Sequence, residues 1–148
     1  MKFDLTDSND KLLYQQLHLL SLKDMCQINH LEQLLEAGVV SLKIEGRLKD
    51  TTYVKNVVAA YSTRLNEIIA KCPNKYKRSS LGHCQYAFTP NLSKTFNRGY
   101  TTYFLNGRIA DISSPATPKA IGQFVGKVKA INNNNFTVAS IEAFANGD

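Results

Sequence analysis

Long apolar runs are missing from this sequence. Nothing in it approaches the roughly 18 consecutive apolar residues that a membrane-crossing helix needs, so no membrane partner is expected. The opening Met1-Lys2-Phe3-Asp4 lacks the apolar centre of a secretory signal, an absence that carries weight only for a chain starting at its true N-terminus. Cysteine is scarce. Cys26, Cys72 and Cys84 are odd in number, widely spaced and without a CxxC pair, which suits reduced thiols in a cytoplasmic protein better than a disulfide framework. No P-loop, GxGxxG, HExxH or GxSxG element occurs, so no phosphate-cradling loop, zincin helix or nucleophile elbow announces itself.

Acidic residues are nearly absent from the middle of the chain. Residues 49–108 hold ten basic groups against Asp50 and Glu67, whereas 1–48 hold five basic and seven acidic, and 109–148 three of each. A central segment of +8 favours an anionic partner, RNA first, or else is a solvated lysine-rich surface. The apolar share of 43% and charged share of 20% are those of a globular protein, and 148 residues suffice for one domain or two small ones.

Periodicity organises the rest. Phe3 and Leu5 alternate with polar neighbours before the turn cluster Asp7-Ser8-Asn9-Asp10, predicting a hairpin in which Lys11–Gln16 is ambiguous. Leu19–Leu22 reads as a short buried strand. Ile28, Leu31, Leu34 and Leu35 recur at helical spacing up to Gly38, a left-handed cap. Val39–Ile44 reads as a second strand. A longer helix follows over 51–70, with Val54, Val57, Val58, Tyr61, Leu65, Ile68 and Ile69 in one stripe, capping oxygens at Asp50, Thr51 and Thr52, and a stop at Cys72-Pro73. Strand, helix, strand, helix is the pattern of an α/β sheet or barrel. Beyond it lie a polar, basic stretch at 74–82, a short helix at Asn91–Phe96, the aromatic Tyr100–Leu105, a linker at Pro115 and Pro118, and a hairpin of Phe124–Ile131 and Phe136–Ala139 about Asn132–Asn135. Asn146-Gly147-Asp148 looks like a turn leading onward, and both ends look cut.

Ser-Leu-Lys occurs twice, at 21–23 and 41–43, each at a predicted strand end. In the second strand Val40, Leu42 and Ile44 share one face and Ser41, Lys43 and Glu45 the other. In a barrel the polar set would point to the C-terminal mouth, with Arg47 just beyond. Lys43, Glu45 and Arg47 are therefore the candidate catalytic residues, with a Lys43–Glu45 ion pair closing the barrel as the plainer reading. Cys26, after the first strand end, could be a metal or cluster ligand, a nucleophile or an inert thiol. His30 could share a face with it; His18 and His83 have no partner pattern. Asn97-Arg98-Gly99-Tyr100 could clamp a phosphate through Arg98 and stack a base on Tyr100, or be a tight packed turn. Lys75, Lys77 and Arg78 are the candidate nucleic-acid contacts of the basic stretch.

Several segments together resemble the collagenase-like peptidase family, U32: Ser21-Leu22-Lys23-Asp24-Met25-Cys26, Glu36-Ala37-Gly38, Ser41-Leu42-Lys43-Ile44-Glu45-Gly46-Arg47-Leu48-Lys49, Tyr53-Val54, Ala60-Tyr61, Phe96-Asn97-Arg98-Gly99-Tyr100-Thr101-Thr102 and Ile121–Val128. The resemblance implies a TIM-like barrel with a small β-barrel extension: 1–72 the last βα units, 73–118 a basic connector with a short helix, 119–148 the start of a small β domain. The family name implies proteolysis, yet no protease dyad maps onto these residues. Several members resemble iron–sulfur proteins that support hydroxylation of RNA bases or of a quinone precursor through four cysteines. Cys26 matches the last of those ligands, so the resemblance implies a cluster in the longer parent, incomplete here and inactive in this piece alone. The expected parent hydroxylates cytidine in ribosomal RNA, with a peptidase or a non-catalytic RNA-binding module as alternatives. A barrel missing strands is further expected to self-associate through its open edges.

Overall fold

In a computed structural model that describes residues 1–140 and 143, the chain opens on an antiparallel hairpin of β1 (Phe3–Thr6) and β2 (Leu12–Leu17). Asp7 shapes the turn: its Oδ1 accepts the backbone N–H of Asn9 at 2.8 Å and of Lys11 at 3.0 Å, the local bonding that makes aspartate a turn residue. Asp4 Oδ1 accepts the N–H of Gln16 at 2.7 Å where the strand bulges and Gln16 takes a φ of 51°. Lys11–Gln16 is thus mostly strand.

The strand expected at Leu19–Leu22 does not form. Ser21 N–H turns back to His18 O at 2.9 Å, Leu20 is exposed, and only Leu22 makes an isolated antiparallel bridge, to Ser113. The ladder begins two residues later. There β3 (Asp24–Met25) runs parallel to β4 (Tyr100–Thr101), and the N–H groups of Asp24 and Cys26 donate to Gly99 O and Thr101 O, both at 2.9 Å. Parallel neighbours require a long crossover, and both helices lie within it.

A 3-10 turn at Ile28–His30 leads into α1 (Leu31–Glu36), whose Leu31 is fully buried. Gly38, at φ 91°, ends it as expected: Gly38 N–H donates to Leu35 O and Val39 N–H to Leu34 O, each at 3.0 Å. Residues 39–50 then form neither helix nor strand, against the strand expected at Val39–Ile44. Among the described residues no strand lies beside the segment to receive its N–H and C=O groups, so its backbone stays outside any ladder. The alternation survives as burial. Leu42 and Ile44 are half-buried while Ser41, Lys43 and Glu45 are exposed, although Val40, expected on the apolar face, is 97% exposed.

The second helix, α2 (Thr51–Lys71), forms where the sequence places it. Of the three candidate caps Asp50 serves, its Oδ1 accepting the Tyr53 N–H at 2.6 Å, and Cys72 N–H closes the far end on Ile68 O at 3.1 Å. Val57 and Ile68 are buried as expected, but Val58 is exposed and Ala59 and Ala60 take its place inside. The buried face is therefore rotated towards small residues, which lets neighbouring chain approach closely. Asn56 is buried on this face and bonds in both directions: Nδ2 donates to Asn91 O at 2.7 Å and Thr95 Oγ1 at 3.2 Å, while Oδ1 accepts the Asn91 N–H at 2.8 Å. That clamp holds the 3-10 turn Leu92–Lys94 against α2, where a short helix was expected.

The last elements, β5 (Gly126–Asn132) and β6 (Asn135–Ser140), form the expected hairpin about Asn133-Asn134. Asn133 takes a φ of 50°, a conformation asparagine tolerates in two-residue hairpin turns. Val128, Ile131 and Phe136 stay exposed, and the hairpin packs on none of the other described elements. The turn expected at Asn146-Gly147-Asp148 lies outside the described residues.

Replacing Asn56 with alanine would strand the Asn91 backbone groups it satisfies. Asn56→Ala is expected to lower stability by about 2–3 kcal/mol, measured as a drop in denaturant midpoint, whereas Val58→Ala on the exposed side of α2 is expected to cost well under about 1 kcal/mol.

Candidate functional site

A cleft of about 550 Å³ opens between β3, the 44–49 segment, the first half of α2 and the returning 92–100 segment. One face of α2 supplies Tyr53, Val57 and Tyr61 at successive turns, the i, i+4, i+8 spacing that aligns side chains along a helix. Opposite them, the 44–49 segment presses close to α2 at Gly46. A Cβ there would lie 2.8 Å from Val54 Cγ2, so glycine lets Glu45 and Arg47 reach the rim.

The carboxylate of Asp24 ties the cleft floor to its wall. Its Oδ2 accepts the Arg98 N–H at 2.8 Å and the Arg98 Nε–H at 3.4 Å, and its Oδ1 faces Arg98 Nη2 at 3.3 Å. Side chain and backbone of Arg98 are thus both used in positioning. Around it, Asn97 is buried, its Oδ1 accepting the Gly99 N–H at 3.2 Å and its carbonyl the Ile121 N–H at 2.9 Å. Gly99 takes a φ of 84°, and the Tyr100 hydroxyl donates to Leu92 O at 2.7 Å. The Asn97–Tyr100 run therefore has the tight packed turn as its main task. Arg98 and Tyr100 nonetheless line the cleft, where burial pushes the Tyr100 phenol well above its ordinary pKa.

Cys26 lies in the same cleft. The Tyr61 hydroxyl accepts the Gln27 N–H at 2.8 Å and donates to Cys26 Sγ at 3.8 Å. Burial pushes the Tyr61 pKa up to about 12, opposed by the Gln27 N–H and reinforced by Cys26. Lys49 places its Nζ 3.1 Å from the centre of the Phe96 ring and 5.5 Å from that of Tyr53. Burial lowers its pKa, with Asp24 opposing and Arg98 adding to the shift.

The expected site residues separate into two groups. Cys26, Glu45, Arg47, Arg98 and Tyr100 converge on the cleft. Lys43 stands outside it and makes the expected ion pair with Glu45, 2.7 Å between exposed partners, a pair worth little to stability. Lys75, Lys77 and Arg78 lie beyond the far end of α2. Lys75 pairs with Glu36 at 2.9 Å, and Arg78 is bound by Asn66 and by Gly82 O. Sequence reasoning passed over Asp24, Lys49, Tyr53, Tyr61 and Phe96 as site residues. The recurrence of Tyr53, Val57 and Tyr61 at four-residue steps was the available signal; nothing local marks the contact of Lys49 with Phe96.

As to a thiolate-held cluster, Cys26 alone among the cysteines lines the cleft; Cys72 caps the end of α2 and Cys84 is exposed in the connector. Among the described residues no three His, Cys, Asp or Glu side chains converge as a metal set. The described residues therefore do not fit a four-thiolate cluster by themselves, and Cys26 can supply one corner at most.

A family model described as peptidase family U32 matches residues 1–114. The chain belongs to peptidase family U32. Among curated proteins it is 42% identical over all 148 residues to the "23S rRNA 5-hydroxycytidine C2501 synthase" of Escherichia coli K12, covering 22% of that protein. It is 33% identical over 88 residues, 60% of this chain and 19% of the relative, to a tRNA hydroxylation protein of Bacillus subtilis. With a "Collagenase" of Porphyromonas gingivalis it shares 30% over 126 residues, 82% of this chain and 28% of the relative. The chain spans between about a fifth and somewhat over a quarter of the length of these relatives. No solved structure matches it. Among the described residues no helix is long and apolar enough to cross a membrane.

The raised pKa of Tyr61 fixes the sign of an alkaline effect. The folded state holds this proton more tightly than the unfolded chain, so its contribution is full below the ordinary tyrosine pKa of about 10 and is lost as pH rises towards about 12. Ultraviolet titration of phenolate should show late-ionising tyrosines, Tyr61 and Tyr100 among them, with one fewer in Tyr61→Phe, and the stability of that variant should fall less steeply with pH above about 10.

Proposed function

We propose that this chain is a section of a cytoplasmic protein that hydroxylates cytidine in ribosomal RNA. The observation that carries the reading is the 42% identity extending over the whole chain to a 23S rRNA 5-hydroxycytidine synthase, against lower and partial identity to the collagenase-named relatives. The cleft supports it chemically. It is lined by three cations and several aromatic rings, a composition suited to a base and its phosphate. The sulfur of Cys26 bonds to a tyrosine, and none of the three histidines lines the cleft, which gives a peptidase reading no thiol–imidazole pair to build on.

In this reading Cys26 is one ligand of an iron–sulfur cluster whose other ligands come from elsewhere in a longer protein. Tyr61 and the Gln27 backbone hold Cys26 in place, Glu45 and Arg47 stand at the rim, and Lys43 orients Glu45. We also read the chain as closing βα units of a TIM-like barrel followed by a small β domain. The parallel β3–β4 pair joined through a helical crossover and the separate β5–β6 hairpin support that reading.

Ribosomal RNA from cells lacking this gene should lose 5-hydroxycytidine, as read by nucleoside mass spectrometry, and regain it with the full-length protein. Cys26→Ser should abolish the recovery and lower bound iron, because a hydroxyl replaces a soft thiolate poorly. Cys72→Ser and Cys84→Ser should do neither. Unchanged 5-hydroxycytidine without the gene would sink the reading, and a full iron complement in Cys26→Ser would sink the ligand assignment.

A further inference from the structure

The charges in the cleft do not balance locally. Asp24 is satisfied by Arg98 through three contacts, and Glu45 by Lys43 at 2.7 Å. Arg47 and Lys49 line the same cleft, yet neither makes an ion pair with a carboxylate among the described residues. Lys49 is instead held over the Phe96 ring and near the Tyr53 ring, and Asp24, whose charge favours it from a distance, is already engaged by Arg98. Two cations left over beside aromatic rings, in a space of about 550 Å³, make a pocket for one planar group bearing a negative charge.

We propose that Arg47, Lys49 and the Tyr53 ring form the nucleotide-holding wall of this cleft: an unpaired base stacks on Tyr53 while its flanking phosphate is taken by Arg47 and Lys49. The inference rests on the RNA reading above and adds which residues hold the RNA. It moves the main contact away from the connector, where Lys75 is already neutralised by Glu36 and Arg78 is bound to Asn66 and Gly82. It also relieves Tyr100 of the stacking role, since its hydroxyl is fastened to the Leu92 carbonyl. Tyr53, in the first turn of α2 and only half-buried, has no such tie through its hydroxyl among the hydrogen bonds of the described residues. Leu48, almost fully exposed at a φ of 60°, turns the segment between Arg47 and Lys49 outward, so the two cations flank an open entry.

The test is fluorescence anisotropy of the full-length protein with a short single-stranded RNA holding a central cytidine, and with the same RNA made abasic at that position. Arg47→Gln and Lys49→Met should each flatten the dependence of log affinity on log salt by about 0.7, the value of one single-strand phosphate contact. Tyr53→Leu should weaken the cytidine RNA by about 5- to 150-fold, the range for one stacked base, and leave the abasic RNA unchanged. Tyr53→Phe should retain stacking. Arg47 is exposed, so its loss changes binding without disturbing packing, and circular dichroism checks the other variants. Wild-type binding by Arg47→Gln, Lys49→Met and Tyr53→Leu would overturn the inference, as would a salt slope carried instead by Lys75, Lys77 and Arg78, or no RNA binding at low salt. None of these results touches the cellular 5-hydroxycytidine measurement, so failure of this wall and failure of the hydroxylation reading are told apart.

Discussion

The carboxylate of Asp24 holds together segments 74 residues apart, and the geometry of the cleft depends on it. Asp24 belongs to a two-residue strand whose ladder with Tyr100–Thr101 has few hydrogen bonds of its own. By accepting both the backbone N–H and the guanidinium of Arg98, its side chain extends that pairing by charge-assisted bonds, which are stronger than neutral ones. Without it the returning segment would lose its register beside Cys26, and Phe96 its place beneath Lys49. Because Arg98 is partly shielded, the pair is screened less than a surface ion pair, though desolvating both partners offsets part of the gain.

The second constraint is the amide of Asn56, which does for the far side of the same segment what Asp24 does for the near side. Its donor and acceptor mimic a strand neighbour for residue 91, and the small Ala59 and Ala60 face lets the chain come close enough to use them. The two clamps bracket residues 91–98. Between them sit Leu92 and Phe96, so the aromatic wall of the cleft is rigidly placed by polar contacts on either side. The basic connector has a different electrostatic character: two of its cations are spent on holding the connector to α1 and α2.

Much of this was legible in the sequence, and the physical reason is locality. Helix α2, its Asp50 cap, the Gly38 terminus and the Asn133-Asn134 hairpin all follow from periodicity and from residues acting on their own neighbours within a few positions. The strands at Leu19–Leu22 and Val39–Ile44 were not decided locally. A strand exists only with a partner for its backbone, and the described residues provide one for Asp24–Met25 but none for residues 39–44. The rotation of the buried face from Val58 to Ala59 and Ala60 was hidden for a similar reason, since what packs against a helix is not written in the helix.

The candidate site divides along the same line. The sequence by itself marked Cys26, Glu45, Arg47, Arg98 and Tyr100 as candidates for chemistry, because their types and spacing make short runs that stand out against their surroundings. Only the tertiary structure decided that these five share one cleft, that Lys49 and Tyr53 join them, and that Lys75 and Arg78 are occupied elsewhere. The difference is one of range. Residue type and local spacing are properties of neighbouring positions, whereas charge balance depends on which distant carboxylate or ring face each cation finally meets.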